Sequence, residues 1–150
     1  MMNEWIGARS AVVKNVVEWG AVKKFAAAIG DFHPLYFDEE MARNSRYRGL
    51  IAPPTFAQSF DFGEIEGLPL PKKGLIHGEQ MYSFARPLAV GETVWCYMKI
   101  EDVYEKKGSK GNMLFVVRDR IGDDADGNRL FTSRAVTIVT EAVRKGMEPK

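Results

Sequence analysis

Hydrophobic residues recur at helical spacing near the start of the chain. The apolar positions of residues 18–29 follow the spacing i, i+3, i+4 and i+7, which predicts a helix with one apolar face. That face consists of Val22, Phe25, Ala26 and Ile29. Gly30 follows, and glycine readily adopts the left-handed conformation that ends helices. The preceding residues 10–17 are rich in valine, which predicts a strand.

Two further helical segments are predicted before residue 66. Residues 38–43 begin on Asp38, which is suited to cap a helix start, and two glutamates follow it where they favour the helix dipole. A longer helix is predicted from Pro54 to about Ile65, because proline fits the first turn of a helix. Phe56 and Phe60 lie on one face of that helix.

The second half of the chain changes to alternation of apolar and polar residues, which predicts half-buried strands. The four predicted strands are residues 75–86, 93–104, 112–121 and 129–141. The breaks between them are short and rich in turn-forming residues, so we expect an antiparallel meander. Helices beside an antiparallel sheet define an α+β architecture, and we expect residues 1–150 to form a single domain.

Composition excludes several classes of function. The 150 residues carry 21 Lys and Arg against 20 Asp and Glu, which gives no support for nucleic-acid binding. The single cysteine, Cys96, has no partner for an internal disulfide or a thiolate metal site, so no metal is expected. The chain has no apolar run long enough for a membrane span and no secretory start, so we expect a cytoplasmic protein.

Candidate chemistry is concentrated in residues 30–36, GDFHPLY. Asp31 follows the helix-ending glycine, where a turn or capping role competes with a catalytic one. His33 precedes a proline and is either an exposed turn residue or a substitute base. Tyr36 is typical of a buried aromatic residue, since a phenol with a pKa near ~10 is a poor base at neutral pH.

Two further groups of polar residues are candidates for binding. His77 and Glu79 are two apart in a predicted strand, so we expect them on one face of the sheet. They form an acid–base pair, a metal site or a hydrogen-bonded polar cluster under the helix predicted from Pro54, and we favour the cluster because no third metal ligand is identifiable. Arg46, Arg48 and Arg86 are candidate phosphate-binding residues.

Four motifs resemble those of a known family. Residues 30–36, followed by five residues and then Ala42, resemble the Gly-Asp-x-Asn-Pro-aliphatic-His signature of MaoC-like (R)-specific enoyl-CoA hydratases. Residues 49–52, GLIA, resemble that family's entry into its central helix. Residues 52–56 (APPTF) and 77–80 (HGEQ) are closer to its FAS1-like dehydratase branch. The resemblance implies a hotdog fold, in which a curved antiparallel sheet wraps around a central helix.

The resemblance also implies a chemistry, the reversible addition of water across the double bond of an acyl-CoA or acyl-ACP thioester. No cofactor is expected, because the substrate itself carries CoA or phosphopantetheine. Asp31 stands at the family's Asp position, but Tyr36 stands at its His position and His33 at its Asn position. Pro54 stands where the family's glycine donates a backbone N–H to the thioester oxygen, and proline has no N–H. The candidate substrate-binding residues are Pro54, Thr55, Phe56, His77 and Glu79.

These departures favour one half of a paired dehydratase over a complete enzyme. We expect an acyl-thioester-binding subunit that forms a homodimer or a heteromer with a second hotdog subunit. One alternative is a self-sufficient enoyl-CoA hydratase that uses Asp31 with His33. Others are a non-catalytic scaffold and a thioesterase with Asp61 or Glu64 as a carboxylate on the central helix.

Overall fold

A computed structural model describes residues 2–146 of the chain. The helices are α1 (Trp19–Ala28), α2 (Pro34–Phe37), α3 (Glu39–Arg43) and α4 (Glu141–Lys145), with 3₁₀ helices at Met2–Trp5 and Pro54–Ser59. The strands are β1 (Val13–Val16), β2 (Ile76–Phe84), β3 (Thr93–Gly108), β4 (Gly111–Asp123) and β5 (Arg129–Val139). We call Pro54–Ser59 the central 3₁₀ helix. No helix within the described residues is long and apolar enough to cross a membrane.

Helix α1 confirms the first predicted helix. Val22 and Ala26 are fully buried, whereas Ile29 is 51 % exposed and lies outside the core. Gly30 has a φ of +73°. The Asp31 N–H donates to the Ala26 carbonyl at 2.9 Å, which closes a Schellman turn. This turn fixes the position of Asp31 relative to α1.

The five strands form one antiparallel sheet in the order β1-β3-β4-β5-β2. The predicted meander is therefore correct for β3, β4 and β5 but wrong for β2, which pairs with β5. Residues 85–92 do not form a hairpin, because their backbone bonds to other segments. The Leu88 carbonyl accepts from Ala52 N–H, and the Gly91 N–H donates to the Val17 carbonyl. This connection carries the chain from β2, at one edge of the sheet, to β3, which lies next to β1 at the other edge.

The last predicted strand is shorter than expected. β5 ends at Val139, and Glu141 begins α4 instead of extending the strand. The Thr140 hydroxyl accepts from the Val143 N–H and caps the new helix.

The predicted helix from Pro54 to Ile65 is wrong beyond Ser59. The central 3₁₀ helix has six residues, and Phe60 is already extended. The following residues bond to the start of the chain instead of continuing the helix. Asp61 N–H donates to the Asn15 side chain at 3.0 Å, and the Ser10 hydroxyl donates to the Phe62 carbonyl at 2.7 Å. These long-range bonds replace helical ones.

One row of residues shows which side of the sheet packs on the helices. Cys96, Gly122, Phe131 and Phe84 lie side by side on β3, β4, β5 and β2. We call the face that carries this row the inner face. A Cβ on Gly122 would lie 2.3 Å from a Phe131 ring carbon, so only glycine fits beneath that ring.

Two hydrophobic clusters cover the inner face. The first joins α1, the central 3₁₀ helix and the row of Cys96 and Phe131. The second lies towards the other end of the strands and includes Ile100, Val116 and Val139. The candidate site described below adjoins the first cluster.

Candidate functional site

A cavity of about 470 Å³ lies between α2, residues 46–54 and the end of β2 with the loop after it. Its lining includes His33, Leu35, Tyr36, Arg46, Tyr47, Ile51, Ala52, Pro53, Pro54, Phe84, Arg86 and Leu88. The apolar part of this lining comes from residues next to the first cluster. Charged and hydrogen-bonding groups are contributed by α2 and the two arginines. Such a mixture is typical of a small-molecule site.

Hydrogen bonds inside the loop place Asp31 and His33. The Asp31 carboxylate accepts from the His33 N–H at 3.2 Å. The His33 Nδ1 in turn accepts from the Leu35 N–H at 3.2 Å and caps α2. His33 therefore carries its proton on Nε2 when neutral, and its ring remains exposed on the cavity wall. The His33 side chain therefore both caps α2 and lines the cavity.

Tyr36 is buried beside Asp31. Its side chain is 8 % exposed, and the Trp19 indole N–H donates to its carbonyl at 2.9 Å. Burial, followed by the charge of the Asp31 carboxylate and a hydrogen bond to it, raises the pKa of Tyr36 above its usual value. The phenol is therefore neutral at physiological pH and lies beside the Asp31 carboxylate. The structure thus brings together the side chains of Asp31 and Tyr36, two of the predicted site residues.

The start of the central 3₁₀ helix offers few backbone donors. Pro53 and Pro54 line the cavity and have no N–H. The Phe56 N–H donates to the Pro53 carbonyl at 2.9 Å. Thr55 is exposed, and Phe56 packs in the core against Phe25 at 5.6 Å between ring centroids. Of these predicted substrate-binding residues, only Pro54 lines the cavity.

His77 and Glu79 do not share a face, so that prediction is wrong. His77 pairs with Thr137 and Glu79 with Val136, which makes Gly78 the extra residue of a β-bulge. The bulge turns the two side chains to opposite faces of the sheet. Both are exposed, neither lines the cavity, and they form no cluster under a helix.

The three candidate arginines have different environments. Arg86 forms two hydrogen bonds with the Glu92 carboxylate, at 2.8 and 2.9 Å, so its charge is already paired. Arg46 stacks on the Tyr47 ring at 4.8 Å and donates to its hydroxyl at 2.6 Å. Arg48 has a φ of +57° and lies outside this cavity. Arg46 is thus the cavity arginine that has no carboxylate partner among residues 2–146.

The thioesterase alternative required a carboxylate on the central helix, and the structure does not provide one there. Asp61 and Glu64 follow the end of the central 3₁₀ helix, and both are exposed. The Asp61 carboxylate accepts from the Gly63 N–H at 2.9 Å and serves a turn. Within residues 2–146, moreover, no three His, Cys, Asp or Glu side chains are grouped to hold a metal ion.

Two cavity residues, Tyr47 and Phe84, carry no functional signal in the sequence. Tyr47 lies between Arg46 and Arg48 in a loop, and Phe84 ends a strand. The approach of Phe84 to Tyr36 depends on the pairing of β2 with β5, which no local pattern predicts.

Cys96 is expected to resist thiol reagents in the native protein. Its side chain is fully buried, and burial raises the pKa of the thiol to about 12. At pH ~8 only about one molecule in ten thousand then carries the reactive thiolate. Iodoacetamide labelling followed by mass spectrometry should give negligible modification at pH ~8 and full modification in concentrated urea. If Cys96 in the native protein were labelled at the rate of a free thiol, this would contradict the packing of the row of Cys96, Gly122, Phe131 and Phe84.

The chain belongs to the FAS1-like dehydratase family. A family model described as "FAS1-like, dehydratase domain region" matches residues 4–133. A relative from Streptomyces griseus, named UPF0336 protein, is 32 % identical over 133 residues, which cover 85 % of this chain and 83 % of that protein.

Solved structures define the fold as a hotdog. The HadBC (3R-hydroxyacyl-ACP dehydratase) complex of Mycobacterium tuberculosis superposes with a TM-score of 0.76 at 23 % identity, over 93 % of this chain and all of that chain. A MaoC-like dehydratase from Rhodospirillum rubrum gives a TM-score of 0.68 at 25 % identity, over 90 % of this chain and 92 % of that one. The resemblance to MaoC-like and FAS1-like proteins is therefore confirmed.

Proposed function

We propose that this chain is the acyl-thioester-binding subunit of a 3-hydroxyacyl dehydratase or enoyl hydratase and that a second hotdog subunit supplies the complete catalytic pair. One observation carries the proposal. At the family's base position stands Tyr36, a phenol whose pKa is raised by burial and by the neighbouring Asp31 carboxylate. At its backbone-donor position stands Pro54, which has no N–H.

The cavity suits the thioester end of such a substrate. Leu35, Ile51 and Ala52 provide an apolar wall. Arg46 lies on the same lining with an unpaired charge, where it is suited to bind a phosphate of CoA or of a phosphopantetheine arm. No cofactor beyond the substrate's own carrier is part of this proposal.

The second subunit is proposed to pair along β2. This strand ends the sheet, so its outer backbone groups have no partner strand among the described residues. Ile76, Met81 and Phe84 on β2 are 48 %, 52 % and 40 % exposed. Phe84 also lines the cavity, so pairing there would bring the second subunit to the site. The similarity to the HadBC complex supports a hotdog partner of this kind.

A self-sufficient hydratase is the second candidate, favoured by the position of His33 on the cavity wall. Its Nδ1 already accepts a hydrogen bond from Leu35, which leaves Nε2–H facing solvent as a donor. A base at this position would have to give up the cap of α2. The paired-subunit proposal needs no such rearrangement.

Arg46→Gln is expected to weaken binding of butanoyl-CoA by about 10-fold, because a charge-assisted hydrogen bond contributes about 1.5–3 kcal/mol and this one is partly solvated. Calorimetry of the purified chain measures the change. Butanoyl-pantetheine has no phosphates, so Arg46→Gln should leave its affinity unchanged.

Arg43→Gln is the matched control, since Arg43 is exposed on α3 and does not line this cavity. Equal weakening of both ligands by Arg46→Gln would indicate a damaged cavity rather than a lost phosphate contact. Failure of the unmodified chain to bind either thioester would overturn the binding role itself.

A further inference from the structure

Two arginines lie on the inner face between the hydrophobic clusters. Arg118 is aligned with Ile100 on β3, and Arg120 is aligned with Met98, so both point to the face that carries Cys96. Both side chains are half-buried. Such positions in a sheet are normally apolar, because they face the core.

The charges of these arginines are not balanced by the chain. Arg118 has no hydrogen-bond or ion-pair partner within residues 2–146, and burial followed by the neighbouring charge of Arg120 lowers its pKa. Arg120 donates to the Gln58 side-chain oxygen at 3.2 Å and lies over the Phe62 ring at 5.4 Å. No carboxylate is therefore among the groups that shift the pKa of Arg118.

The outer face of the same strands shows the contrast. Between the two arginines in sequence, Asp119 points to the other face and binds Arg134 through two hydrogen bonds of 2.7 and 2.8 Å. Arg129 likewise binds Asp123 at 2.6 Å. A half-buried cation without an anion costs stability. An anion bound at the inner face would remove this cost.

Contacts connect the cavity to the arginines. Phe84 lines the cavity, and the Tyr82 ring stacks on it with centroids 5.6 Å apart. The Tyr82 hydroxyl is hydrogen-bonded to the Gln58 amide, and Gln58 accepts from Arg120. Gln58 lies near the end of the central 3₁₀ helix, whose rise of about 2 Å per residue places that end about 10 Å from Pro54.

We propose that Arg118 and Arg120 bind a carboxylate at the distal end of the acyl group, so that this chain prefers ω-carboxyacyl thioesters. The proposal rests on the proposed function, because it places the thioester end of the same ligand at the cavity. With the thioester at Pro54, the far end of a medium-length acyl chain reaches the end of the central 3₁₀ helix, about 10 Å away, where Arg120 contacts Gln58. The planar guanidinium groups match a carboxylate, and the nearby Tyr82 hydroxyl offers a further donor.

Calorimetry with suberyl-CoA and octanoyl-CoA tests the preference, since the two differ at the distal carbon. We expect the unmodified chain to bind suberyl-CoA at least about 10-fold more tightly. Arg118→Gln and Arg120→Gln should each remove most of this difference and leave octanoyl-CoA affinity unchanged. Arg9→Gln is the matched control, because Arg9 stacks on Tyr97 on the outer face.

The outcomes separate this inference from the proposed function. Equal affinity of the unmodified chain for the two thioesters overturns the inference, while binding of both leaves the proposed function intact. If neither thioester binds, the proposed function fails, and thermal unfolding with free suberate or octanoate then decides. If suberate raises the unfolding temperature, octanoate does not, and Arg118→Gln removes the effect, the carboxylate site is supported. If suberate has no such effect, the inference is overturned.

Two further measurements distinguish a ligand site from a structural role or a protein interface. Arg118→Gln should unfold at a temperature no lower than that of the unmodified chain, because it removes an unbalanced charge. A clearly lower midpoint would mean that Arg118 stabilises the fold, and it would overturn the inference. Light scattering reports the mass of the assembly. If the arginine variants alter that mass and not the ligand preference, the carboxylate belongs to a protein partner and the inference is wrong.

Discussion

The purified chain alone is expected to hydrate crotonyl-CoA at least about 10⁴-fold more slowly than a hotdog hydratase that has the complete Asp/His pair and the glycine donor. General acid–base catalysis contributes about 10²–10⁴ in rate, and one oxyanion donor about 10²–10³. Tyr36 and Pro54 remove both contributions from this chain. The loss of the enoyl-thioester absorbance measures the rate. Because the pKa of Tyr36 is raised, its phenol stays protonated up to a pH of ~10, and the rate should not increase with pH in that range.

The double variant Tyr36→His/Pro54→Gly is expected to recover part of this rate. A histidine at position 36 would place an imidazole beside Asp31, and glycine would restore an N–H at the helix start. Asp31→Asn in the double variant should abolish the gain. Tyr47→His is the matched control, because Tyr47 lines the same cavity.

The opposite result would identify a different enzyme. If the unmodified chain hydrates crotonyl-CoA rapidly, and both Asp31→Asn and His33→Gln abolish the rate, then the self-sufficient hydratase is correct. The cap that His33 provides to α2 would then have to open during turnover.

Phe131→Ala is expected to lower the free energy of unfolding by about 3–5 kcal/mol, as is typical of a large core side chain. The Phe131 side chain is 1 % exposed. Its ring lies 6.2 Å from Phe60 and 6.1 Å from Phe62, between centroids. It thereby joins the sheet to the segment that follows the central 3₁₀ helix. Urea unfolding monitored by circular dichroism measures the loss.

Phe32→Ala is the matched control for this core variant. Phe32 is 66 % exposed, although it stacks on Phe37, so its loss should cost about 0.5 kcal/mol or less. Gly122→Ala should lower the free energy of unfolding of the unmodified chain, because its new Cβ clashes with the Phe131 ring. In the Phe131→Ala background the ring is absent, so the same substitution should lower the free energy of unfolding much less. A loss below about 1 kcal/mol in Phe131→Ala would show that this row is not central to the core.

Local patterns were sufficient for the elements whose ends are set by neighbouring residues. α1 ends at Gly30 because a left-handed residue closes the Schellman turn there. α3 begins after Asp38, whose carboxylate accepts from the Met41 N–H. The alternation that predicted β3 and β4 also indicated their inner and outer faces, up to a bulge after Ile100.

Other features depended on contacts between distant residues. The central 3₁₀ helix ends at Ser59 because the backbone groups of Asp61 and Phe62 form hydrogen bonds with the side chains of Asn15 and Ser10 instead of continuing the helix. The faces of His77 and Glu79 depend on a bulge opposite Val136. Neither effect leaves a pattern in a single stretch of sequence.

By itself the sequence determined the α+β class, the family and the local group of Asp31, His33 and Tyr36, because these depend on residues close together in the chain. The tertiary structure alone decided that Phe84 shares a cavity with His33 and Tyr36, since that depends on the pairing of β2 with β5. It also decided that the charge of Arg118 is unbalanced. Charge balance depends on which side chains meet across the fold, and a sequence lists charges without their distances.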